Sequence, residues 1–137
     1  MPYLAGIVLA LTISMVTSVL GFDRDRAFYP TVLVVVASYY VLFAVIGSSR
    51  EALVVEIPVM AGFLLLAAIG FKKNLWLVAA ALAAHGIFDL FHGQVVVNPG
   101  MPAWWPAFCT AYDLTAAAFL AWLLRRSPAT TRPHAPP

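Results

Sequence analysis

The sequence predicts an all-α protein built into a lipid bilayer, a polytopic bundle of five transmembrane helices. Three observations carry that expectation. Of 137 residues, 63% are hydrophobic and only 10% charged, against about half and about a quarter in a soluble domain. Five stretches reach the roughly 20 apolar residues that a span requires. Period-two alternation is absent, which argues against a lipid-exposed barrel. Helices remain, because they satisfy every backbone group internally in hydrocarbon.

The first stretch, Tyr3–Phe22, also has a secretory-signal reading, which would leave four spans. Its leading Met1-Pro2-Tyr3 has no positive charge, and its apolar run is longer than a typical signal core, so a retained span is expected. The charged turn Asp23-Arg24-Asp25-Arg26 separates it from the second span, Phe28–Gly47. Ser48-Ser49-Arg50-Glu51 precedes the third, Ala52–Phe71, and Lys72-Lys73-Asn74 precedes the fourth, Leu75–Gln94. After the Pro/Gly-rich Asn98-Pro99-Gly100-Met101-Pro102, the fifth span covers Trp105–Leu124, with Pro106 in its first turn, where a helix tolerates it best. Residues 1–124 are thus the bundle. The Pro/Thr/Ala-rich residues 125–137 read as a disordered cytoplasmic tail that carries His134 away from any site. No internal repeat is evident.

Basic residues orient the spans. Arg24, Arg26, Lys72, Lys73, Arg125, Arg126 and Arg132 fall on one side and only Arg50 on the other. The positive-inside rule then puts the N-terminus outside and the C-terminus in the cytoplasm of a bacterial inner (plasma) membrane. Tyr3, Trp104 and Trp105 are expected at the outer interface, and Tyr29, Trp76 and Trp122 at the inner one. A net charge of +2 provides no basic field for nucleic acid. The single cysteine, Cys109, excludes an internal disulfide and a cysteine-cluster metal site. The expected partners are the bilayer, a small or lipid-like substrate and a second copy of the chain in a homo-oligomer.

Three charged residues fall inside the spans, and all are acids: Glu56, Asp89 and Asp113. A carboxylate near the bilayer centre costs about 3 kcal/mol on insertion scales, so each requires a partner, a proton or a wet cavity. His85 and His92 share the fourth span with Asp89. At about 100° per residue, positions 85, 89 and 92 lie within roughly 60° of one another and form one polar stripe. The small residues Ala79–Ala81, Ala83, Ala84 and Gly86 let neighbours approach, which makes the fourth span the central helix. Glu56 and Asp113 can face the stripe from the third and fifth spans, and all five groups lie at the midplane or in the outer half. Pro58, two residues after Glu56, is expected to free a backbone carbonyl near the site. Tyr39, Tyr40 and Tyr112 are mid-depth donors, with at most one of the adjacent pair pointing fully inward.

His and carboxylate are the usual ligands of zinc or iron, so one reading is a divalent metal held by His85, Asp89, His92, Glu56 and Asp113. His85 and His92 are about 10.5 Å apart along a regular helix, too far to share one ion. One ion can take Asp89 with either histidine, completed by Glu56 or Asp113; two ions can share Asp89. A second reading is catalysis without metal, with His85, Asp89, Asp113 and Glu56 as proton carriers, since histidine titrates near neutrality. A third is proton- or cation-coupled transport, against which the inner half offers no further relay group. A purely structural network, or a subunit of a membrane complex, stands beside these. The sequence by itself assigns no reaction.

The remaining features have blander readings. Asp23–Arg26 is a self-neutralising turn or a headgroup contact, Arg50 pairs with Glu51 or holds an anionic headgroup, and Cys109 is packing despite being one turn from Asp113. The uncharged loop Val95–Trp105 is expected to cover the stripe as a lid. No Gly-rich phosphate loop, Gly-x-Ser-x-Gly elbow or His-Glu-x-x-His is present.

The run His85-x-x-x-Asp89-x-x-His92, the turn Asp23-Arg24-x-x-x-x-Tyr29-Pro30, and Trp104-Trp105-Pro106 together resemble those of small bacterial multi-pass integral membrane proteins. That resemblance would cover most of the chain and implies the fold without implying an activity. The pair His85 and Asp89 in a five-span bundle is also similar to sterol isomerases of the emopamil-binding type. Asp89 stands where that family has Glu, and no residue roles carry over.

Overall fold

The computed structural model describes residues 1–126. It contains α1 (Pro2–Leu20), a 3-10 turn at Phe22–Arg24, α2 (Phe28–Ile46), α3 (Arg50–Lys72), α4 (Leu75–Val95) and α5 (Trp105–Arg126). All five helices are long and apolar enough to cross a membrane. Each expected span lies within two residues of a helix. The first turn of the expected tail is different: Arg125 and Arg126 continue α5, and the rest of it, with His134, lies outside the described residues.

Local chemistry explains the ends. Pro2 occupies the first turn of α1, and Gly21 closes that helix in the left-handed region (φ 81°), its N–H donating to the carbonyls of Ser18 and Thr17. The Ser49 hydroxyl accepts from Ala52 N at 3.1 Å, and the Asn74 side chain accepts from Trp76 N at 2.9 Å, capping α3 and α4. At the far end of α3, Arg26 donates to the Phe71 carbonyl from Nε (3.2 Å) and Nη2 (3.1 Å). Arg26 therefore serves the orphan carbonyls of a helix terminus as well as the charge balance of its own turn. Among the described residues Arg50 and Glu51 form no ion pair within 4 Å, and neither do Asp23 and Arg24. Adjacent helical residues diverge by about 100°, and an exposed pair gains little in water.

The helices are apolar on the outside, as a bilayer requires. Val19, Val54 and Leu65 are mainly exposed, whereas the buried face of α1 is Gly6, Ala10, Ser14 and Thr17. Small residues at this spacing let backbones approach where lipid removes any hydrophobic drive between helices. Going round the bundle, the neighbours run α1, α5, α4, α3, α2, with α2 also reaching α4. The fourth helix is central, as its small residues predict. A Cβ on Gly86 would stand 3.1 Å from both Asp113 Cβ and the Thr110 carbonyl, so the absence of a side chain there sets the spacing of α4 and α5.

The ring does not close completely between α2 and the α1–α5 pair. An apolar cavity of about 460 Å³ fills that seam, lined by Ile13, Val32, Tyr39, Phe108, Cys109 and Tyr112 among others. Trp105 stacks near Tyr39 (ring centroids 4.8 Å) and meets Phe43 edge-on (5.0 Å). Trp105 is thus half-buried between helices, and Tyr29 is only 3% exposed, so neither belongs to an interfacial belt. Tyr3, Trp76, Trp104 and Trp122 keep the exposure that such a belt requires.

Candidate functional site

The polar stripe of α4 is buried. His85 and Asp89 are each 1% exposed and His92 is fully covered, as are Glu56 on α3 and Asp113 on α5. All five lie between the middle of the bundle, where His85 sits halfway along α4, and the end that carries the 47–49 and 96–104 connections. They divide into two stations along α4, as the axial distance between the histidines requires.

In the first station, His85 Nδ1 lies 2.6 Å from Asp113 Oδ2 and 3.5 Å from Asp89 Oδ2. The Tyr40 hydroxyl donates to Asp89 Oδ1 at 2.7 Å, and the Cys109 thiol donates to Asp113 Oδ2 at 3.7 Å. One ligand atom from each of His85, Asp89, Cys109 and Asp113 lies within 4.8 Å of the others, and all four residues are buried. Asp89 Oδ2 and Asp113 Oδ1 have no hydrogen-bond partner. Phe63 closes one side, its ring edge-on to the imidazole of His85 at 4.8 Å.

In the second station, His92 Nε2 lies 2.7 Å from Glu56 Oε1, which also accepts from Asn98 Nδ2 at 3.1 Å. Asn98 Nδ2 donates again, to the Tyr40 carbonyl at 2.9 Å. Asn98 therefore reaches down from the 96–104 connection and fastens it to α2 and α3. The fastening is tight: a side chain on Gly100 would run into the carbonyl of Phe43. The expected lid is a closed, pinned cover. Tyr40 belongs to both stations, since its hydroxyl serves Asp89 while its ring stacks on His92 at 4.2 Å.

These contacts sort the sequence expectations. Asp113 and Glu56 do face the stripe, but each takes a different histidine, so the five residues form no single ligand set. Tyr40 is the inward member of its pair, and Tyr112 lines the seam cavity. Pro58 and Val54, whose carbonyl Pro58 cannot engage, are both exposed, so the freed carbonyl expected near the site belongs to the lipid-facing side of α3. Two members were missed. Cys109, read as packing, is a donor of the first station; its position one turn before Asp113 was the available signal. Asn98 was read only as turn chemistry, and nothing local reveals that a loop amide is buried.

The donor set suits a metal. One imidazole nitrogen, one thiol and two carboxylates are a mixed N/S/O set of the kind zinc and iron accept. Bonds of about 2.0–2.3 Å in a tetrahedron put neighbouring ligand atoms roughly 3.3–3.8 Å apart. The His85–Asp89 and Cys109–Asp113 contacts already have that spacing. The His85–Asp113 contact is shorter because a proton occupies it; metal binding displaces such protons, and this edge would open by less than about 1 Å.

Fold and site together define a class: a multi-pass helical membrane protein whose buried acids and histidines lie between the middle and one end of the bundle. The chain matches no protein-family model, no curated protein and no solved structure.

Proposed function

We propose that this chain holds one divalent cation, zinc or iron, between His85, Asp89, Cys109 and Asp113, and uses that centre on a small lipid-like molecule. The proposal rests on four ligand atoms of suitable chemistry within 4.8 Å, all out of solvent. Its orientation is that of the basic residues, with the N-terminus outside and the C-terminus in the cytoplasm of a bacterial inner membrane.

Cys109 relates centre and substrate. It is a donor of the cluster and also part of the wall of the seam cavity, whose 460 Å³ falls in the range of small-molecule pockets. An apolar ligand in that seam enters from the bilayer with no aqueous passage. A bound cation would act as a Lewis acid toward an oxygen of that molecule only by taking the oxygen as an additional donor or in place of one carboxylate. Four protein donors alone fill a tetrahedral ion. Tyr40 fixes Asp89 by its hydroxyl, and Phe63 excludes water from the imidazole. Asp113 and His85 hold a proton between them until the site is loaded.

The 2.6 Å His85–Asp113 contact favours a second reading, proton transfer without metal. Coupled transport is less well supported, because among the described residues no buried acid or histidine lies beyond the middle of the bundle toward the 21–27 and 73–74 connections. Metal analysis of the protein purified without chelator, beside Asp113→Asn, decides between the first two. About one zinc or iron per chain, lost in Asp113→Asn, supports the centre. Metal-free protein that takes up no zinc or ferrous iron leaves proton transfer. A reporter fused to the C-terminus and active only outside would overturn the orientation.

A further inference from the structure

At the opposite end of the bundle, α1, α2, α4, α5 and the 3-10 turn converge on a pocket of about 220 Å³, lined by Ser18, Asp23, Arg24, Tyr29 and a leucine wall that includes Leu75 and Leu124. Three observations make it more than a surface dent. Tyr29 is 3% exposed and its hydroxyl has no hydrogen-bond partner within 3.5 Å, only a looser contact with Ser14, although a buried hydroxyl ordinarily finds a close one. Asp23 and Arg24 line the pocket side by side without forming an ion pair with each other. Six of the seven basic residues among those described lie at this end: Arg24, Arg26, Lys72, Lys73, Arg125 and Arg126.

We propose that this pocket binds the headgroup of an amino-phospholipid, of the phosphoethanolamine type. The Arg24 guanidinium carries paired N–H donors that match a phosphate, and the Tyr29 and Ser18 hydroxyls supply further donors. Asp23 is the discriminating group. A carboxylate beside the arginine disfavours a purely anionic headgroup and accepts hydrogen bonds from a primary ammonium, which a quaternary choline cannot donate. The leucine wall suits the glycerol and the first methylenes of the acyl chains, and the pocket lies at helix ends, where headgroups are found. The site is distinct from the metal centre: along α4 the pocket residue Leu75 and the ligand His85 are separated by half the helix.

The test is native mass spectrometry of the full chain released from mixed micelles containing equal phosphatidylethanolamine, phosphatidylcholine and phosphatidylglycerol. The wild type is expected to retain phosphatidylethanolamine over each of the others by about tenfold, the size of one charge-assisted hydrogen bond. Arg24→Gln should lose retention of all three, whereas Asp23→Asn should keep retention but lose the preference over both phosphatidylcholine and phosphatidylglycerol. Tyr29→Phe removes a hydroxyl with only a loose contact to Ser14 in the lipid-free protein, so it should lower thermal stability little and weaken lipid retention by about threefold. Equal retention of the three lipids by the wild type, or a preference untouched by Arg24→Gln and Asp23→Asn, would overturn the proposal. Free phosphoethanolamine and inorganic phosphate are added in separate arms. Retention of either soluble compound in preference to the lipid at equal concentration would show that a soluble phosphate compound is the ligand and would overturn the lipid assignment.

Discussion

The two histidine stations of α4 have similar parts, and each leaves two buried polar atoms without a partner: Asp89 Oδ2 and Asp113 Oδ1 around His85, His92 Nδ1 and Asn98 Oδ1 around His92. At His92, one carboxylate oxygen of Glu56 accepts from both an imidazole and the Asn98 amide, and the amide goes on to a backbone carbonyl. At His85, two carboxylates and a thiol crowd one imidazole nitrogen, and two carboxylate oxygens have no donor. The first arrangement is a latch, in which opposite groups meet across α3, α4 and the 96–104 connection. The second gathers acceptors that repel one another unless a proton or a cation lies between them. Buried charge near lipid is costly, so two carboxylates crowded round one imidazole mark a site, and a neutral amide tying one carboxylate to a backbone carbonyl marks a fastening.

Four substitutions test that contrast, from the largest expected effect to the smallest. Glu56→Ala leaves His92 and Asn98 without their shared acceptor and should lower stability by about 3 kcal/mol or more. Thermal unfolding in detergent measures this, and metal content per folded chain should be unchanged; a loss of metal would erase the distinction between stations. Asp113→Asn keeps an acceptor of the same shape, so the fold should survive while zinc affinity falls at least about 100-fold, or about 2.7 kcal/mol. Competition against a zinc-binding dye reads that change, and an unchanged affinity would remove Asp113 from the centre.

Tyr40→Phe keeps the ring stacked on His92 but removes the donor to Asp89. Metal affinity should drop about tenfold, as for other groups that orient a ligand, with a stability cost of about 1–2 kcal/mol. Titration calorimetry with zinc, beside a melting curve, separates the two effects. Gly86→Ala has the smallest effect. Its methyl group would press on Asp113 Cβ and the Thr110 carbonyl at 3.1 Å, costing about 1 kcal/mol and widening the contact of α4 and α5. A measurable loss of zinc affinity without loss of helicity would show that helix spacing tunes the first station.

Much of this was legible before any coordinates. The five spans follow from runs of apolar residues, because length and hydropathy are local properties that lipid reads directly. The stripe His85, Asp89, His92 follows from helical periodicity, and the separation of the two histidines from the rise of the helix. The partners were only half legible. Glu56 and Asp113 were recognisable as acids in lipid, but periodicity does not say which histidine each one meets. Cys109 is apolar enough to pass as packing, and its role depends on Asp113 being turned toward α4. Asn98 lies in a connection of turn residues, and only the docking of that connection makes it a buried donor.

The sequence by itself determined the location, the number of helices and which residues cannot rest in hydrocarbon. These are questions of transfer free energy, and they are settled residue by residue. Tertiary structure decided how those residues divide: which acid serves which histidine, that Tyr40 joins the stations, and that α2 stands apart from α1 and α5 along an apolar seam. Such choices depend on helix rotation and on approach distances set at positions such as Gly86. A rotation of one residue, about 100°, would give every one of these side chains a different neighbour.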